Sequence, residues 1–409
     1  MNFALKSALK HFEQSNGELL IGGKAVSSFT EEYGTPLYIY DREIIEWRHQ
    51  SLRKTMPANL QIYYAIKANP NIEVIQTMGM YYDGFDIASQ GEMEKAIAAG
   101  ISPEVISFTG PGKTIDELCF AVERDIGSIS VESEREVEHL KTICKSLGKS
   151  IHVLIRVNPD FELTQSGMKM AGGAKQFGID SDLVPALIEK IRNDKWIQFE
   201  GIHIFSGSQN LHADELLKTF RKILEYADDL SSLVKIGFNI INMGGGFGIP
   251  YFTHENDLDL QAVGCGLTDL LNMYQLKMPG TTFNIELGRF LVGECGVYLC
   301  RILYRKVSHN RVFLIMDGGM HHHLAASGNF GQSLVRRPMP LTVANKLDES
   351  LERVTVVGVL CTPLDTFGMV DIPKGKEGDL MAVLNSGAYG LSASPTQFLS
   401  HKIPVEILV

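Results

Sequence analysis

Between residues 61 and 286 the chain alternates, eight times over, a short β-rich run with a stretch of helical period. The β-like runs are Gln61–Ile66, Gly84–Ala88, Val105–Thr109, Ser128–Glu132, Ile151–Val157, Phe199–Phe205, Ile240–Met243 and Phe283–Glu286. Amphipathic stretches fill 71–80, 91–99, 114–124, 134–147, 181–192, 213–230 and 259–277, and a further one, 42–55, precedes the first run. Leu216, Leu217, Phe220, Ile223 and Leu224 show the helical spacing. Alternation of this kind demands a parallel sheet, because each helix carries the chain back to the end where the last strand began. Eight such units over about 245 residues predict a (β/α)8 TIM barrel. An open doubly wound sheet is the alternative architecture.

The pattern changes near residue 290. Val297–Val307, Val312–Met316, Val354–Cys361, Leu380–Leu384 and Ile403–Val409 are β-like, with few helices between them. Residues 19–40 are also extended in character. The expected organisation is therefore a segment 1–40 that joins the β domain, a barrel over 41–289 and a mostly antiparallel C-terminal β domain over 290–409. A net charge of −10 disfavours sequence-independent nucleic-acid binding. No apolar run approaches the ~18–20 residues of a membrane span, and the first twenty residues lack the apolar centre of a signal peptide. Six cysteines without a CxxC pair read as reduced thiols. A cytoplasmic enzyme, with no nucleic-acid or membrane partner, is the expectation.

A barrel of this type carries its chemistry at the C-terminal ends of its strands. The first run ends in YYAIKANP, which sets Lys67 at the barrel mouth; partial desolvation there would lower its pKa and make it an imine-forming amine. The sixth ends in GIHIFSGSQN, with His203 in the strand and a small turn at Ser206, Gly207 and Ser208. The seventh ends in NMGGGFG, where Gly244, Gly245 and Gly246 let backbone N–H groups converge on an anion. The eighth ends in IELGRF, with Glu286, Gly288 and Arg289. Barrel phosphate sites are commonly built from the loops after strands seven and eight. A lysine amine, a phosphate cradle and a carboxylate at one mouth point to pyridoxal 5′-phosphate.

YYAIKANP, FDIASQGEME, GGAKQFGI, GIHIFSGSQ, NMGGGFGIPY, ELGR, CTPLD and GAYG, in this order from about residue 17 onward, resemble the fold-type III pyridoxal-phosphate decarboxylases, the alanine racemase-like family of the diaminopimelate and ornithine decarboxylases. The resemblance implies that Lys67 forms the Schiff base, that His203 stacks on the pyridine ring and that Glu286 pairs with its protonated nitrogen. It places Ser208, Gly244–Gly246, Gly288, Arg289 and Tyr389 on the phosphate side, and Asp86 and Ser89 in the segment facing the cofactor. It makes Cys361 the cysteine that approaches the carbanion carbon from the other subunit of a homodimer with composite sites. Decarboxylation leaves electrons at Cα, and a proton must follow them; Cys361 or Lys67 could deliver it. A buried structural thiol is the other reading of Cys361.

The chain departs from the family pattern in three places. Thr362 stands where the diaminopimelate and ornithine enzymes carry an acid that grips the distal amine, and Asp365 follows it in the same loop. Leu287 replaces a proline before Gly288, and Phe205 replaces a second histidine. DGGMHHHLAASGNFGQSLVRR replaces a segment of different sequence. His321–His323 in it are read as extended, with alternating faces and no metal site. Thr362, Asp365, His322 and Arg336 are the candidate substrate contacts. CTPLD and MHHHLAASGNFGQ are most similar to the branch containing exosortase- or exopolysaccharide-associated decarboxylases and the glutamyl–carrier-protein decarboxylase. That implies an α-decarboxylase whose substrate is not a simple diamino acid: a glutamate-like small molecule, or an aminoacyl group on a carrier protein. The alternatives are a diaminopimelate decarboxylase, a non-catalytic homologue that binds a partner, and a racemase, for which no second base is found.

Overall fold

The fold is described from a computed structural model, over residues 3–160, 168–169, 172–330 and 337–409. The chain divides into two compact units.

The first unit to consider covers His49–Gly248 and Leu258–Gly288. It holds strands β1 (Leu60–Ala65), β2 (Gly84–Ile87), β3 (Ile106–Phe108), β4 (Ser128–Val131), β5 (Ile151–Asn158), β6 (Ile197–His203), β7 (Ile240–Gly245) and β8 (Thr282–Leu287). Each pairs in parallel with the next, and β8 returns to β1 with Phe283 opposite Leu60 and Leu287 opposite Tyr64. The sheet is thus a closed barrel, as the eightfold alternation predicts, and the open-sheet alternative falls.

Helix α1 (Arg42–Thr55) leads into the barrel. Then α2 (Ile72–Gly79), α3 (Gln90–Ala98), α4 (Ile115–Glu123), α5 (Glu134–Leu147), α6 (Val184–Ile191), α7 (Ala213–Val234) and α8 (Leu260–Lys277) connect successive strands. Several start on a side-chain cap: Asn71, Ser89, Thr114, Ser133 and Asp259 each accept a backbone N–H of the first turn, and Thr114 forms a reciprocal box with Glu117. Each cap is worth about 1 kcal/mol and fixes where the strand-end loop stops. The stripe on α7 is buried at Leu216, Phe220, Ile223 and Leu224.

The second unit runs up to Arg48, takes in Ile249–Asp257 and resumes at Arg289. The excursion Ile249–Asp257 has no counterpart in the boundaries read from sequence. Its main sheet orders β11 (Leu341–Val343), β14 (Leu380–Val383), β9 (Gly296–Ser308), β10 (Arg311–Met316), β12 (Leu351–Val357) and β13 (Thr366–Pro373). The N-terminal strand Leu37–Tyr40 pairs antiparallel with β9, and β15 (Val405–Leu408) adds to it in parallel. Only one other pair of this sheet, β10 with β12, is parallel among the described residues. Among the described residues no helix is long and apolar enough to cross a membrane.

Candidate active site

Strand register gathers four of the expected residues at one end of the barrel. Asp86 lies opposite Ala65, two residues before Lys67, and His203 lies between Arg156 on β5 and Asn242 on β7. The β7–β8 pairing then slips by one residue, from Asn242 opposite Asn284 to Gly245 opposite Glu286. This is a β-bulge, and Gly244 sits in it at φ +63°, where a side chain would be strained. At Gly245 a Cβ would meet the Glu286 carbonyl oxygen at 1.9 Å. The glycine run therefore lets β7 close against Glu286 and against the Ile204–Gly207 segment, and the Gly244 N–H donates to Asn242 Oδ1 at 2.9 Å.

Lys67 Nζ donates to Asp86 Oδ2 at 2.8 Å. The Asp86 side chain is fully buried, whereas that of Lys67 is 40% exposed, so the amine remains reachable. The Phe205 ring centroid lies 5.8 Å from Nζ, so the phenyl that replaces the family's second histidine flanks the lysine with an apolar wall. Asn242 Nδ2 donates to Glu286 Oε1 at 2.5 Å, and His203 Nε2 faces the same oxygen at 3.5 Å. On the other side of the imidazole, Nδ1 meets Ser130 Oγ at 3.1 Å. Behind it Arg156 pairs with Glu132 at 2.7 Å, with both side chains nearly buried.

Burial raises the pKa of both Asp86 and Glu286. For Asp86 the Glu286 charge adds to the effect and Lys67 opposes it; for Glu286 Lys67 and the Asn242 hydrogen bond oppose it. Burial first, and Arg156 second, push His203 down to about 3, which keeps it neutral at physiological pH.

Other expected residues have clear structural duties. Ser89 caps α3 by accepting from Glu92 N. Ser208 lies in a two-residue strand, Gly207–Ser208. At Gly288 a Cβ would come within 2.8 Å of the Ala68 Cβ. Asn242, Ser130 and the Glu132–Arg156 pair were not singled out from sequence. Their signal is a polar residue inside an otherwise buried strand, which gains meaning only once the register is known.

In the second unit, Arg289 Nη1 donates to Tyr251 Oη at 3.1 Å, and its guanidinium lies over the Tyr389 ring at 4.6 Å. Its Nε is buried without a hydrogen-bond partner, a donor suited to an anion. Cys361 is exposed, in a loop beyond β12. The buried-thiol reading is therefore wrong, because β12 ends at Val357 and does not reach it. Thr362 Oγ1 accepts from Leu364 N at 3.3 Å.

Asp365 is buried. Oδ1 accepts from Met320 N at 2.6 Å and Oδ2 from Leu360 N at 2.8 Å, so the carboxylate ties two loops together. Its geometry is that of a loop anchor, in contrast to the expected substrate contact. His321–His323 form a turn, with His322 N and His323 N both donating to Gly319 O, so the expected extended segment with alternating faces is corrected. All three imidazoles are buried, and His322 Nδ1 lies 3.3 Å from Tyr298 Oη, which turns this candidate substrate contact into the interior. Arg336 lies outside the described residues.

The family description "Pyridoxal-dependent decarboxylase, pyridoxal binding domain" matches residues 42–293. The chain is 39% identical to the L-glutamyl-(BtrI acyl-carrier protein) decarboxylase of Niallia circulans, over 94% of this chain and 90% of that protein. It is 33% identical to the 2-((L-alanin-3-ylcarbamoyl)methyl)-2-hydroxybutanedioate decarboxylase of Staphylococcus aureus, over 90% of this chain and 92% of that protein. The crystal structure of diaminopimelate decarboxylase from Helicobacter pylori complexed with L-lysine superposes with a TM-score of 0.83 at 27% identity, covering 94% of this chain and 93% of that one. The chain belongs to the pyridoxal-dependent decarboxylases. The members of this family are lyases, and the (β/α)8 barrel with a separate, mostly antiparallel β unit is shared with the Helicobacter structure.

The barrel mouth fits a pyridoxal group. Asp86 Oδ1 and His203 Nε2 are buried without a hydrogen-bond partner, and buried polar atoms of this kind are costly. Lys67 and Arg156 stand among the acidic side chains of Asp86, Glu132 and Glu286, an environment that favours a further positive charge. A protonated pyridine nitrogen, if held there, would supply a positive charge.

The buried histidines also predict an acid limit to stability. Burial pushes His323, like His203, down to about 3. The unfolded chain therefore takes up these protons first as pH falls. The stability they preserve is complete above about pH 6.5 and declines below it by about 1.4 kcal/mol per pH unit for each histidine, until about pH 3. Urea unfolding at pH 7, 6 and 5 checks this. His323→Gln should lower the slope below pH 6.5 by about 1.4 kcal/mol per unit, and an unchanged slope would refute the assignment.

Proposed function

We propose that this protein is a pyridoxal 5′-phosphate-dependent amino-acid α-decarboxylase whose substrate lacks a distal ammonium: a glutamate-like amino acid, free or carried on an acyl-carrier protein. One observation carries the substrate class. The loop Cys361–Asp365 offers no available carboxylate, because Thr362 is neutral and both Asp365 oxygens are taken by backbone N–H groups. A buried ammonium without an anionic partner keeps its desolvation cost, which disfavours diaminopimelate and ornithine. The 39% identity to a decarboxylase of a carrier-linked glutamyl group supports the same class.

Lys67 would hold the cofactor covalently through its amine, His203 would offer a neutral flat ring to its face, and Glu286 would keep a proton on its ring nitrogen. Ser208, Gly244–Gly246 and Gly288 would bind on the phosphate side, and Arg289 and Tyr389 carry the same expectation. When bound, pyridoxal phosphate supplies the sink for the electron pair left on Cα as carbon dioxide departs. Phe205 sets an apolar ring 5.8 Å from the lysine amine. Lys67 or Cys361 then carries the proton that Cα requires.

Carbon dioxide release should be assayed with glutamate, glutamyl carrier protein, meso-diaminopimelate, ornithine, lysine and arginine. The expected result is turnover of glutamyl substrates with meso-diaminopimelate poor. A kcat/KM for meso-diaminopimelate near ~10⁴ M⁻¹s⁻¹, the range of ordinary enzymes, would instead make the chain a diaminopimelate decarboxylase. A homodimer with composite sites is part of the proposal, supported by the exposure of Cys361 and Leu364. Mixing inactive Lys67→Ala and Cys361→Ala chains should restore part of the activity. No recovery despite demonstrated subunit exchange would place each site within one chain.

A further inference from the structure

Among the buried contacts to which the proposed function gives no role is the hydroxyl of Ser130, at 3.1 Å from His203 Nδ1. We propose that Ser130 is a positioning residue whose hydroxyl donates to Nδ1 of His203 and so fixes the imidazole proton on Nε2, facing the Glu286 carboxylate. This deepens the decarboxylase reading, since it names what sets the state of the ring expected to lie against the cofactor.

Two sides of the imidazole determine the assignment. A neutral imidazole has one N–H and one acceptor nitrogen. Nε2 faces Glu286 Oε1 at 3.5 Å, and that oxygen already presents its lone pairs as the acceptor of the Asn242 Nδ2 hydrogen. A lone pair on Nε2 would oppose the lone pairs of that oxygen, whereas an N–H is attracted to it. Nδ1 is then the acceptor, and the Ser130 hydroxyl, which turns to suit its partner, is the donor. Glu286 Oε1 accepts from Asn242 Nδ2 and is faced at 3.5 Å, beyond a hydrogen bond, by His203 Nε2–H, while no donor among the described residues reaches Oε2. The carboxyl group is thus oriented by neutral partners alone.

Ser130 is well placed to act this way because its backbone is held from two sides. It pairs with Leu154 across β4 and β5, and its carbonyl accepts from Lys113 Nζ at 2.9 Å. The Lys113 ammonium, only 1% exposed, also bonds Gly110 O and Glu136, so it braces the loop ends after β3 and β4. The charged groups around the imidazole are Lys67, Asp86, Glu132, Arg156 and Glu286, and none of them reaches Nδ1 as a hydrogen-bond partner.

Nitrogen NMR on the purified protein with ring-¹⁵N histidine tests the assignment, with the His203 signals identified by their loss in His203→Gln. The expected spectrum has Nε2 protonated and Nδ1 unprotonated, hydrogen-bonded and unchanged in Ser130→Thr. In Ser130→Ala the Nδ1 signal should move toward that of a free acceptor, and kcat should fall about tenfold with KM little changed, the cost of one hydrogen bond felt in turnover. A wild-type His203 with its proton on Nδ1 would overturn the proposal, whether or not Ser130→Ala folds. Cofactor content is read separately by absorbance, so the expected tautomer in a protein that never binds pyridoxal phosphate would refute the functional reading and leave the Ser130 assignment standing.

Discussion

Lys67→Ala is expected to lower decarboxylation by on the order of 10³-fold or more, because it removes the amine that would hold the cofactor. The same substitution leaves the Asp86 carboxylate fully buried without its 2.8 Å partner. Because Lys67 is 40% exposed, the loss is less than for a fully buried pair, about 1–3 kcal/mol for the carboxylate left unpartnered, enough for a weakened fold to lower activity in Lys67→Ala. Lys67→Arg separates the two effects. A guanidinium keeps a cation beside Asp86, yet it cannot take the place of a nucleophilic amine. Steady-state rates and thermal midpoints on both variants give the answer. Equal loss of activity in the two, with stability restored in Lys67→Arg, is the expected pattern; an active Lys67→Arg would exclude Lys67 as the attachment point.

Glu286→Gln is expected to reduce kcat by roughly 10²–10³-fold while the purified protein retains most of its cofactor. Glutamine keeps the shape of the side chain and can still accept from Asn242, so the local packing survives. What disappears is the buried negative charge that favours a protonated ring nitrogen. The glycine bulge of β7 is untouched, so the phosphate side is preserved. Turnover close to wild type in Glu286→Gln would show that Glu286 does not face the ring nitrogen.

The barrel was legible because its two periodicities are long and clean: eight strand-like runs separated by helices that bury one stripe each. Strand ends were less so. The sixth run was expected to reach Phe205, but β6 ends at His203, where the chain turns through Gly207. The strand Thr366–Pro373 went unseen, since TFGMVDIP breaks its alternation with a glycine and closes on a proline. His321–His323 looked extended from composition, but the backbone folds back on the Gly319 carbonyl, a tertiary choice that sequence spacing does not reveal. Lys67, His203 and Glu286 were legible because each stands at the same end of a parallel strand, and Asp86 through the family resemblance of FDIASQGEME. Asn242 and Ser130 were missed because a polar side chain inside a buried strand has no meaning until its neighbour across the sheet is known.

The proposed function rests first on pyridoxal phosphate held by Lys67 at the mouth of the barrel. Borohydride reduction of the purified wild-type protein, followed by peptide mass mapping, tests it most directly. One pyridoxyl phosphate group per chain is expected, on the peptide containing Lys67. A stoichiometric adduct on another lysine, or none in protein saturated with pyridoxal phosphate, would contradict it.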